Sequence, residues 1–95
     1  MAQFITRIEL HGVRHDDDSY QLLHDAMEAS GFKRTIADDN TKTYHLLPAE
    51  YEVTGNYTTQ SVMISAKEAT SHTNKKYSIF VSEIIRATWY NLKAV

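Results

Sequence analysis

The densest run of ionisable side chains is His11, His15, Asp16, Asp17 and Asp18. Imidazole and carboxylate together can hold a divalent cation, and acid-rich sets suit magnesium or manganese. The same aspartates also suit the start of a helix, where they accept orphan backbone N–H groups and meet the positive end of the dipole. Capping accounts for the run. The stretch from His11 to His15 contains Gly12, which argues against a helix that would set both rings on one face. No metal site is assigned.

A second set is basic: Arg7, Arg14, Lys33, Arg34 and Lys42, followed by Lys75, Lys76 and Arg86. Tyr44, Tyr77, Trp89 and Tyr90 stand near them in the chain. Single-stranded RNA is held by such mixtures, with cations on phosphates and rings stacked on bases. The competing reading is a solvated charged surface, and Tyr44 and Tyr77 occupy alternating positions that predict core. His24, His45 and His72 have no metal spacing and no partner visible in the sequence to position a general base. Glu50 and Glu52 share one strand face, where carboxylates usually serve solvation. The three glycines, at 12, 31 and 55, exclude a glycine-rich phosphate loop. No cofactor is assigned, nucleotide cofactors included.

These residues sit in 95 positions, the length of one domain, 1–95. With 42% hydrophobic and 23% charged residues, the chain has the balance of a soluble globular protein. Absence of cysteine rules out disulfides and thiolate metal sites. No apolar run approaches the ~20 residues of a membrane span, and Met1-Ala2-Gln3 leads straight into a strand pattern, which predicts no signal peptide. A cytoplasmic protein is expected. The net charge of −2 argues against indiscriminate nucleic-acid coating, so any RNA contact must use a local patch.

The positioning elements follow from periodicity. Residues 4–11 alternate, with Phe4, Thr6, Ile8 and Leu10 on one face and Ile5, Arg7, Glu9 and His11 on the other. A helix is predicted over roughly 18–30, with Asp18 as N-cap, Gln21 completing a capping box, Tyr20, Leu23 and Met27 as its stripe, and Gly31 just past its end. Residues 32–36 alternate as a second strand, and Asp38-Asp39-Asn40 is turn chemistry. Residues 43–53 read as a third strand broken at Pro48. Thr58 or Thr59 caps a second helix with Val62, Ala66 and Ala69 as its stripe. Residues 77–82 form a fourth strand, and Thr88 to Leu92 read as a short fifth.

This order predicts an α+β fold, a ferredoxin-like βαββαβ plait. Its antiparallel sheet would run 4-1-3-2 with both helices on one face. The open face would carry Ile5, Arg7, Glu9 and His11 beside Ser78, Phe80 and Ser82. Exposed Ile5 and Phe80, and the surplus fifth strand, predict a homodimer through that face, the last strand or both. The paired aromatics of plait-type RNA-recognition modules are missing, with His11 and Phe80 in their place.

The segments 4–12, Gly31-Phe32-x-Arg34-Thr35-Ile36, Thr43 to Leu46 with Pro48 to Tyr51, Lys75 to Ile79 and Thr88 to Leu92 resemble small bacterial proteins of the GhoS-type endoribonuclease antitoxin family. The resemblance implies a ferredoxin-like fold similar to the small CRISPR-associated endonucleases, and an RNase that cuts a toxin's messenger RNA. Those nucleases place an aspartate at the end of the first strand, where this chain has His11-Gly12. A metal-free mechanism, with histidine or arginine at the scissile phosphate, is therefore the form expected. Arg7, His11, Arg14 and Arg34 are its candidate catalytic residues. The second expectation is a non-enzymatic dimeric interaction module in a toxin–antitoxin or phage-defence pathway, because the plait is a permissive scaffold.

Overall fold

A computed structural model describes residues 1–95 as an α+β fold with two helices, a three-stranded antiparallel sheet and a separate two-stranded one. The elements in chain order are β1 (Ala2–Leu10), α1 (Asp18–Ala29), β2 (Thr35–Ala37), β3 (Thr43–His45), β4 (Glu50–Gly55), α2 (Thr59–Ser71) and β5 (Tyr77–Ile84). The main sheet has the order β4-β1-β5, and β2 pairs with β3. A bridge between Lys33 and Glu52 ties the chain before β2 to the outer side of β4.

The alternation of the first strand sets the core. Phe4, Thr6, Ile8 and Leu10 are buried, while Arg7 and Glu9 face solvent. Leu23 and Met27 of α1 and Val62, Ala66 and Ala69 of α2 join Phe4, Ile8, Leu10 and Tyr51 in one apolar cluster, so both helices cover the same sheet face. The alanines of α2 remove the bulk that would hold a helix away from the strands. One buried hydroxyl on this face, Thr6 Oγ1, has no hydrogen-bond partner.

The helix ends follow local chemistry. Asp17, one residue earlier than expected, caps α1 by accepting from the Ser19 N–H at 2.8 Å. Gln21 does not complete a capping box, since its amide donates instead to Asp25. Past the other end, Gly31 stands at φ +93° and Phe32 N–H donates to Met27 O at 3.0 Å, a Schellman closure. Thr58 caps α2 in a reciprocal box with Ser61.

One element breaks where expected, and another departs from expectation. The long third strand is divided: Glu50 N–H turns back to Leu47 O around Pro48, and Ala49 takes φ 59°. Only β4 remains in the sheet of β1. The predicted strand Thr88–Leu92 does not form. Asn91 takes φ 61°, which breaks an extended run, and the chain crosses to β3, where His45 N–H donates to Lys93 O and Val95 N–H to Thr43 O. The terminal segment is thus a strap over its own β3, held by Trp89 packed on Tyr44 with ring centroids 5.5 Å apart. No helix is long and apolar enough to cross a membrane.

Candidate functional site

The break at Pro48 leaves the end of β1 without a strand partner on one side. The β1–β4 pairing runs from Ala2 only to Arg7. Beyond it, Ile8 N–H reaches Ala49 O at 3.1 Å, and Leu10 N–H donates to the phenol oxygen of Tyr20 at 2.9 Å. A side chain from α1 thereby stands where a neighbouring strand would have been. The cleft left at this unpaired edge has a volume of about 150 Å³ and is lined by Arg7, Glu9, His15, Tyr20, His24 and the Pro48–Ala49 corner, with Ile8 behind.

Behind the cleft, His24 Nδ1 lies 2.7 Å from the hydroxyl of Tyr51, which is fully buried. Burial, with the Arg34 guanidinium second, lowers the pKa of His24, against a smaller opposing effect from Asp25. Burial also pushes the Tyr51 phenol far above its usual range. Both groups are therefore neutral at pH 7. The phenol has no partner except this ring, so its O–H donates to Nδ1 and the imidazole proton sits on Nε2. His24 is then fixed as a neutral ring whose donor is Nε2, and the residue lines the cleft.

Arg34 joins this pair to a second feature. A recess of about 500 Å³ is lined by Lys33, Arg34, Thr35 and His45, with Glu28, Phe32 and Leu46 completing its wall. Two cations, Lys33 and Arg34, stand there with one acid, Glu28, and the His45 imidazole beside them, in a chain whose net charge is −2. The bridge of Lys33 to Glu52 and the bond from Leu46 N–H to Arg34 O fix this backbone.

The four sequence candidates do not share one cleft. Arg7 lines the β1-edge cleft and Arg34 lines the basic recess. His11 stands at the end of β1 with Nε2 2.8 Å from Ser78 Oγ, and Arg14 is an exposed loop residue 3.4 Å from Asp16. No three imidazole or carboxylate groups converge as a metal-ligand set, the run from His11 to Asp18 included. Of the carboxylate pair on β4, Glu52 is turned to structure, accepting from Gln3 Nε2 and from the Thr54 hydroxyl. His24 and Tyr51 carry no spacing signal that links them, because their contact spans 27 positions. The one clue the periodicity offers is that His24 lies next to the apolar stripe of its helix.

A larger recess of about 560 Å³ lies under the C-terminal strap, between Gln3, Asp38, Asp39, Arg86 and Trp89. Its chemistry is already occupied: the Asp38 carboxylate accepts from the N–H groups of Asn40 and Lys42, and Trp89 is packed on Tyr44. Searches against protein-family models, curated proteins and solved structures found no match to this chain.

Proposed function

We propose that this chain is a ferredoxin-like plait that binds single-stranded RNA along the Lys33–Arg34–His45 recess and cleaves it, without a metal, in the β1-edge cleft. The reading takes its reaction class from the resemblance to antitoxin-type endoribonucleases and its site from the geometry. The divided β3–β4 segment then counts as one interrupted plait strand, bridged to the β2 segment through Lys33 and Glu52. The observation that carries it is the meeting of His15, His24 and Arg7 around one small cleft, with Arg34 acting on His24 from the adjoining recess. A volume of about 150 Å³ is below the usual ~300–1,000 Å³ of a small-molecule pocket. It suits a phosphodiester of a passing chain better than an enclosed ligand.

In this account His15 accepts the proton of the ribose 2′-hydroxyl, the role imidazole fills best near neutral pH. The 2′ oxygen bonds to phosphorus, the bond from phosphorus to the 5′ oxygen breaks, and that oxygen leaves with a proton from solvent. Arg7 and the Nε2–H of His24 meet the charge growing on the non-bridging oxygens. The products are a 2′,3′-cyclic phosphate and a free 5′-hydroxyl. Such an enzyme works in the cytoplasm, on messenger RNA.

The test is incubation of pure protein with end-labelled single-stranded RNA in excess chelator, beside a strand carrying 2′-deoxyribose at the cleaved position. Cleavage of the first, ending in a cyclic phosphate, and sparing of the second is the expected result. Failure to cut any single-stranded RNA sinks the enzymatic reading. A non-enzymatic interaction module is the second reading. Phe80, 68% exposed in the middle of the open sheet face, is the observation in its favour.

A further inference from the structure

The outer edge of β5 is unpaired, and its chemistry selects an occupant. β5 is the last strand of the sheet, and the terminal strap leaves it to join β3. Ile5, Arg7 and Glu9 of β1 stand opposite Ser82, Phe80 and Ser78, and His11 N–H donates to Lys76 O, whereas Ile8 N–H turns the other way, to Ala49. The backbone groups of Ser78, Phe80 and Ser82 are therefore spent on β1. Those of Tyr77, Ile79, Val81 and Glu83 point outward, a row of donors and acceptors about 20 Å long at roughly 3.4 Å per residue.

Native edges of this length are usually guarded by lysine, proline or a bulge. This one has a single charge, Glu83, and no proline. Both of its flanks expose apolar groups. Phe80 is 68% exposed on the open face, and Ile64 is 66% exposed on α2 above the other face. Ile64, Met63, Lys67 and Val81 line a groove of about 490 Å³ that runs beside this strand.

We infer that β5 pairs antiparallel with β5 of a second copy of this chain, joining two three-stranded sheets into one of six. The occupant follows from the strand's own pattern. A two-fold axis perpendicular to the sheet at Phe80 sets Phe80 against the partner's Phe80, Ser78 against the partner's Ser82 and Ile79 against the partner's Val81. The outward backbone groups fall in register, and the two phenyl rings meet at a non-hydrogen-bonded pair, where side chains approach closest. Glu83, the one charge of the strand, lands beside the partner's Tyr77 and meets no like charge. A parallel partner would set like against like. Both α2 helices lie on one side of the joined sheet, and their Ile64 side chains close the groove. This assembly uses neither the terminal strap nor the whole open face, and it leaves the β1-edge cleft on the far side of each sheet.

The assembly is tested by sedimentation and by engineered cross-links in a chain with no cysteine of its own. Wild type sediments as a dimer at tens of micromolar. Val81→Pro deletes an outward N–H and no internal hydrogen bond, so it yields a folded monomer with an unchanged circular dichroism spectrum. The double variant Ser78→Cys, Ser82→Cys oxidises to a covalent dimer, because Cβ atoms at such pairs lie near disulfide distance. If Val81→Pro fails to fold, the cross-link alone decides. A wild-type monomer at that concentration, a dimer that survives Val81→Pro, or a double-cysteine variant that does not cross-link overturns the inference.

Discussion

At the scale of single residues, the His24–Tyr51 pair shapes the proposed chemistry. The buried phenol holds one ring tautomer and so decides which proton the cleft meets. The pair also makes stability depend on pH. Burial lowers the folded-state pKa of His24 below its ordinary 6.5. The folded state therefore disfavours the charged ring, and this contribution is full above pH 6.5 and decays as pH falls below it. Urea midpoints measured from pH 8 to pH 5 will fall for wild type, and the fall will be shallower in His24→Gln. Tyr51→Phe frees the tautomer and costs about 1 kcal/mol, the usual net value of one hydrogen bond. The sequence disclosed half of this site. Arg7 and Arg34 stand out by charge, and the alternation of the first strand puts Arg7 outside. The role of His24 was hidden because its partner belongs to another element, and the contact depends on the Pro48 break bringing Ala49 and Tyr51 back against α1.

At the scale of elements, local signals carried furthest where one residue dictates backbone geometry. Gly31 ends α1 at φ +93°, and a Cβ built there meets nothing within 4 Å. Gly31→Ala therefore pays only a conformational cost, about 1 kcal/mol, readable as a lowered urea midpoint with the fold intact. Pro48 marked its break equally well, since proline cannot donate to a ladder. The C-terminal segment misled for a physical reason. Thr88-Trp89-Tyr90-Asn91-Leu92 has strand-forming side chains, yet a strand also needs a free neighbouring edge and an uninterrupted extended backbone. Asn91 breaks the second condition. The pairing that does form lies three residues later, against β3, and rests on the Trp89–Tyr44 contact rather than on alternation. The basic recess belongs to this scale too. It forms because Lys33 and Arg34 precede β2 and His45 ends β3, so the hairpin brings them to one wall. Titration of single-stranded RNA against salt will show a log–log slope smaller by about 0.7 for each of Lys33→Ala and Arg34→Ala, one phosphate contact apiece.

At the scale of the whole molecule, the two halves of the surface have separate tasks in this account. One side of the sheet, where β1 parts from β4, gathers Arg7, His15, His24 and the neighbouring Arg34. The other side, the bare edge of β5, is apolar on both flanks and matches itself under two-fold symmetry. Overall charge masks this division, because −2 is the sum of a basic recess and an acidic remainder. The central claim is that RNA cleavage belongs to the β1-edge cleft rather than to the end of the first strand. Single-turnover cleavage of a labelled single-stranded RNA, at fixed salt with chelator present, tests it across four folded variants. His15→Ala and Arg7→Ala should slow the reaction by about 10²–10³-fold, while His11→Ala and Arg14→Ala, outside the cleft, should keep rates within a few-fold of wild type. Full activity in His15→Ala and Arg7→Ala, or its loss in His11→Ala, would contradict the account.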